Sequence, residues 1–129
     1  MELRRVVITG LGTINPLGNS IEEYFTNLNN GVSGAGPITR FDASLFKTRF
    51  ACEVKDFNPA AFGIDRKEAR KMDRFAQFAV VAADQAVADS KLDLDKINKK
   101  RVGVIVGSGI GGIETLTQEV MGFSEGNKV

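Results

Sequence analysis

Apolar and polar positions follow two different periods along this chain. Residues 3–9 run through Val6-Val7-Ile8 and stop at Gly10-Leu11-Gly12, the pattern of a strand entering a glycine turn. Ser20 and Glu23 have capping-box spacing, in which each side chain satisfies an orphan amide of a helix's first turn. Ile21, Tyr24, Phe25 and Leu28 follow at i, i+3, i+4 and i+7, one apolar face of a helix that Gly31 can stop. Residues 31–37 form a glycine-rich loop, and 48–54 read as a strand with polar interruptions. A turn at Asn58-Pro59 is closed by Gly63.

The strongest pattern predicts one long helix over residues 66–90. Asp65 and Glu68 repeat the capping-box spacing at its start. Met72, Phe75, Ala76, Ala79, Ala83 and Ala86 fall on one face, and the alanines allow another backbone to approach closely. After the polar connection 93–100, the continuous apolar run 101–106 reads as a strand buried on both faces. It ends in Gly107-Ser108-Gly109-Ile110-Gly111-Gly112, and a helix over 113–123 places Ile113, Leu116, Val120 and Phe123 on one side. Residues 124–129 have loop composition. Strands alternating with helices give an α/β fold class, a mixed sheet flanked by helices. So few strands leave helix faces uncovered, so the chain reads as one incomplete unit, 1–129, with no internal boundary.

Composition adds mainly exclusions. The 129 residues carry 26% charged and 43% hydrophobic side chains, ordinary for a folded soluble chain. With 17 basic against 16 acidic residues, nothing global points to nucleic acid or to an acidic membrane. Histidine is absent, which removes the commonest general base and neutral metal ligand. A single cysteine allows no internal disulfide and no cysteine-based zinc site, and it fits a reducing cytoplasm. The apolar run after Arg5 is too short for a signal peptide or a membrane span.

Four features bear on chemistry. Gly107, Gly109 and Gly112 satisfy G-x-G-x-x-G after a strand, but no second strand with a following acid appears; a tight turn is favoured over a dinucleotide site. Gly10 and Gly12 resemble the opening of a short-chain dehydrogenase, yet Ile14 and Pro16 stand where further glycines are required. Cys52 lies mid-strand with no histidine to activate it, and reads as a buried packing residue. Lys67, Arg70, Lys71 and Arg74 recur at helical spacing on an arc away from the apolar stripe. Cations in a helix's first turns oppose its dipole, so this face is either a solvated surface or a docking site with a return for that cost.

An ordered series of segments resembles β-ketoacyl-acyl carrier protein synthases, most closely those of bacterial type II fatty acid elongation. The series is Arg4-Arg5-Val6-Val7-Ile8-Thr9-Gly10-Leu11-Gly12, Pro16-Leu17-Gly18-Asn19, Phe41-Asp42, Lys55-Asp56-Phe57, Arg66-Lys67-Glu68-Ala69-Arg70-Lys71-Met72-Asp73 and the Gly107–Gly112 loop. The resemblance implies the N-terminal portion of a thiolase-like fold, incomplete here, from a cytoplasmic homodimer that needs no cofactor or metal. It implies acyl transfer from acyl carrier protein to a cysteine, then decarboxylating condensation with malonyl-carrier protein. It implies no nucleic-acid or membrane partner. The family's nucleophilic cysteine and two histidines match nothing in these residues, so the chain holds no catalytic position. By the same resemblance Lys67, Arg70 and Lys71 dock the acidic carrier protein, and Ile110 gates the acyl pocket. A polyketide ketosynthase and a non-catalytic carrier-binding module remain as alternatives; a start at Met1 favours a discrete enzyme over a multi-domain chain.

Overall fold

A computed structural model describes residues 4–126. Leu3 of the first expected strand and residues 127–129 of the closing loop lie outside the described residues.

The N-cap residues Ser20 and Asp65 act as expected, but Glu68 pairs with Lys71 rather than completing the second capping box. Helix α1 spans Ile21–Asn29; the Glu23 amide donates to Ser20 Oγ at 3.2 Å, and Glu23 Oε2 accepts from the Asn19 amide at 2.7 Å. The returning bond thus reaches one residue further back than in the usual box. Gly31 ends the helix in the left-handed region, φ +67°. Its amide donates to Leu28 O (3.1 Å) and that of Val32 to Asn27 O (2.9 Å), the paired bonds of a Schellman motif. A 3₁₀ turn, Pro59–Phe62, is capped by Asn58 and closed by Gly63 at φ +83°.

The long helix is broken. Helix α2 covers only Arg66–Ala69, and α3 begins at Arg74 and runs to Ser90. Asp65 caps α2, with Oδ1 2.6 Å from the Lys67 amide and 3.0 Å from that of Glu68. Between the helices the Gln77 side-chain amide donates to the carbonyls of Ala69 (2.8 Å) and Met72 (3.0 Å). Those carbonyls would otherwise accept from the next helical turn. Asp73 then takes extended backbone (ψ 154°), which a continuous helix forbids.

Helix α3 is the platform of the fold, on a face rotated from the expected one. Val81 is 1% exposed, and Phe78, Ala82, Gln85 and Ala86 are half-buried beside it, whereas Phe75 and Ala83 are exposed. Of the expected face, Ala76, Ala79 and Ala86 are half-buried too, so the buried arc is widened and shifted rather than moved outright. Phe78 decides the shift: its ring meets Phe57 edge-on at 4.8 Å, and Phe57 stacks on Phe62 at 5.6 Å. The segment after residue 9 crosses this face in close backbone contact, since a Cβ on Gly10 or Gly12 would collide with the Ala86 or Ala82 carbonyl. Side chains of α3 fasten it. Asp89 accepts from the Leu11 amide at 2.9 Å, Gln85 from the Thr13 amide at 3.0 Å, and Gln85 donates to Asn19 O at 2.8 Å.

The expected sheet is nearly absent among the described residues. One antiparallel pair forms, β1 (Gly36–Pro37) with β2 (Phe50–Ala51), so β1 arises inside the predicted glycine loop and β2 is a fragment of 48–54. Residues 4–9 and 101–106 form no paired strand, apart from the single turn Lys99–Arg101 in 3₁₀ conformation. A strand is stabilised by its neighbours' ladder bonds and by cover on its faces, and neither is present here. Val104 and Ile105 are accordingly 82% and 99% exposed. Helix α4, Ile113–Ser124, forms as predicted, but Leu116, Val120 and Phe123 are likewise open to solvent. Apolar patches beyond a few hundred Å² are unusual on monomers. Expressed alone, the 129-residue chain is therefore expected to aggregate or to bind a hydrophobic dye. A monodisperse monomer with a sharp cooperative melt and no dye signal would contradict this.

Candidate functional site

The cations singled out by spacing divide into two groups. Lys67, Arg70 and Lys71 are exposed on α2 and the turn after it. Lys71 Nζ pairs with Glu68 Oε1 at 2.8 Å, while Lys67 and Arg70 have no ion-pair partner among the described residues. Arg74 does not share their surface. The helix break turns it inward, its guanidinium 5.1 Å from the Phe78 ring centroid and 5.7 Å from that of Phe57. Its group donates to Val54 O at 3.4 Å. Burial first, then the nearby Arg40 charge, lowers the Arg74 pKa from its ordinary value. The expected four-residue basic arc is thus three residues, with Arg74 as a packing cation.

The glycine loop meets this basic corner at one point. Ser108 Oγ accepts from the Gly111 amide at 3.0 Å, and Gly111 turns at φ +76°. Ile110 is 79% exposed at the crest of the loop. Gly112 is packed so closely against the Asp73 carboxylate that any Cβ would collide with it. Thr115 Oγ1 donates to Asp73 Oδ1, and Arg40 pairs with Glu114 on the same turn of α4. Arg70, Lys71, Met72, Asp73 and Thr115 line one shallow groove of about 160 Å³. Gly112, the last glycine of G-x-G-x-x-G, therefore brings backbone up to a carboxylate at the start of α4, while Gly107 and Gly109 stand in open space. A phosphate there would face that negative charge, so the geometry sides with the tight-turn reading.

Cys52 departs from its expected burial. It is exposed, just past the short β2, and borders an open, largely apolar cavity of about 620 Å³ with Leu11, Ile21, Tyr24 and Phe25. The strand that was to bury it ends at Ala51. No helix among the described residues is long and apolar enough to cross a membrane. The residues missed by sequence reasoning are Asp73, Arg40 and Glu114. Asp73 had a signal, as an aspartate before a fresh apolar period is itself a helix-start mark; the other two pair across 74 positions and had none.

Comparison with known proteins gives this geometry a family. The chain is 50% identical over 119 residues to a 3-oxoacyl-[acyl-carrier-protein] synthase 2 of Synechocystis sp., a match covering 92% of this chain and 28% of the relative. It is 55% identical over 113 residues to the protein of that name from Coxiella burnetii, covering 88% and 27%. The chain thus spans under a third of the length of these relatives. Among solved structures it superposes on the ishigamide ketosynthase/chain length factor with TM-score 0.84 at 38% identity, over 96% of this chain and 31% of the other. It also superposes on one chain of a complex described as a type II PKS acyl-carrier protein with its ketosynthase bound to the hexaketide, with TM-score 0.70 at 28% identity, over 95% of this chain and 32% of the other. Residues 3–127 match the description "Beta-ketoacyl synthase, N-terminal domain", and the chain accordingly belongs to the β-ketoacyl synthase family.

Proposed function

We propose that these residues form the N-terminal part of a decarboxylating 3-oxoacyl-acyl carrier protein synthase with a thiolase-like fold, working as a cytoplasmic homodimer in fatty acid elongation. In that reaction an acyl group passes from the carrier's thioester to a cysteine thiol, freeing the carrier thiol. Malonyl-carrier protein then loses carbon dioxide, and the resulting carbanion attacks the acyl-enzyme carbonyl and expels the cysteine thiolate. The residues here contribute scaffold, a docking face and a pocket loop rather than the reacting groups, and call for no cofactor. The observation that carries the docking role is the exposed triplet Lys67, Arg70 and Lys71, two of them without a counter-ion among the described residues. Exposed cations that lack a counter-ion are favoured when an acidic partner meets them. A structural relative described as the ketosynthase of a type II PKS supports a second reading, the same chemistry on a polyketide chain. The product formed by the complete enzyme, a single two-carbon extension or a poly-β-keto chain, separates the two.

Charge reversal tests the docking face. In the complete synthase, Lys67→Glu with Arg70→Glu is expected to raise KM for acyl-carrier protein on the order of tenfold at low salt. Screening over about 8 Å at physiological ionic strength should shrink that effect. Turnover at saturation and rates with acyl-coenzyme A should change little, since a small thiol donor does not use the carrier's surface. Equal response of both donors, or of neither, would remove the docking role.

A further inference from the structure

Asp73 stands at the N-cap of α3, yet its side chain caps no amide of that helix. An N-cap aspartate ordinarily accepts from its own helix's second or third amide. This one is turned toward α4 instead. It accepts from the Thr115 hydroxyl and abuts Gly112, the N-cap of α4, which has no side chain with which to cap. The carboxylate from one helix start thus serves the positive end of another. The loop before Gly112 is otherwise weakly held: a Cβ on Gly107 or Gly109 would meet nothing within 4 Å, and Ile110 is 79% exposed. On its other side Asp73 shares a groove with Arg70 and Lys71.

We propose that Asp73 is a positioning residue that tethers loop 107–112 to the docking corner and thereby sets the place of Ile110. This rests on the reading above, in which Ile110 gates the acyl pocket. Without the tether the loop end moves more freely, Ile110 yields more readily, and discrimination against long acyl chains falls. Arg40 pairs with Glu114 in the same first turn of α4, a second contact that holds the helix when the tether is cut.

The test compares kcat/KM for long and two-carbon acyl primers in the complete synthase, for Asp73→Ala, Asp73→Asn, Thr115→Val and Ile110→Trp. Asp73→Ala and Thr115→Val are each expected to shift the long-to-short ratio about tenfold toward long primers, the scale of one charged hydrogen bond. Asp73→Asn should stay within about threefold of the parent, because its amide oxygen still accepts from Thr115. Asp73→Ala combined with Thr115→Val should exceed the larger single effect very little, as expected for partners in one contact. Thr115 is exposed, so Thr115→Val tests the tether even where Asp73→Ala misfolds. If both variants slow all primers in parallel with the ratio unmoved, Asp73 is a structural cap and the proposal is overturned. Ile110→Trp separates the two levels. If it shifts the ratio while the tether variants do not, only the tether falls; if it too leaves chain length unchanged, the gate and the tether fall together.

Discussion

Incubated with acyl- and malonyl-carrier protein, the 129-residue chain alone is expected to yield no β-ketoacyl product and no acyl label on Cys52. Condensation needs a thiolate and groups that assist decarboxylation, and this chain has no histidine. Cys52 is accessible, so access does not protect it. What it lacks is activation: it follows a two-residue strand rather than opening a helix. Loss of a nucleophile–base unit costs about 10⁶ in rate, far below the reach of a product assay. Mass spectrometry after reaction at neutral pH checks both halves of the expectation. Stoichiometric acylation of Cys52 would show that the chain carries its own nucleophile.

Enlarging Ile110 is expected to have the next largest effect. Replaced by Phe or Trp in the complete synthase, it should lower rates with long primers while sparing two-carbon ones. Overfilling a packed site costs about 1–3 kcal/mol, roughly 5- to 150-fold if felt in the transition state. In this chain Ile110 has open space around it, and neighbouring Gly109 would admit a Cβ without contact. The larger side chain should therefore fold without strain here, and its penalty should arise only where acyl chain must pass. Equal losses for short and long primers would mean that the loop was deformed rather than the pocket filled.

Local signals in the sequence were the reliable ones. Ser20, Gly31, Asn58, Asp65 and the start of α4 all act as read, because caps and tight turns are settled within a few residues. What failed needed distant partners. Residues 101–106 have the composition of a buried strand but no strand beside them among the described residues, and composition cannot supply a ladder. The break at residues 70–73 depends on Gln77 reaching back to two carbonyls, which helical periodicity does not encode. The rotated face of α3 follows from Phe57 and Phe62 capturing Phe78. At the site, the exposure of Lys67, Arg70 and Lys71 was legible from their place off the apolar stripe. The inward turn of Arg74 and the junction at Asp73 were not, since both follow from that break.

The central claim is that these residues belong to a synthase whose nucleophile lies elsewhere in the protein. Peptide-mapped acylation of the protein from the complete reading frame tests it most directly. After brief exposure to acyl-carrier protein, the acyl group should sit on one cysteine outside residues 1–129, and malonyl-carrier protein should discharge it as β-ketoacyl product. An acyl group on Cys52, or none on any cysteine of an intact, folded protein, would contradict the account.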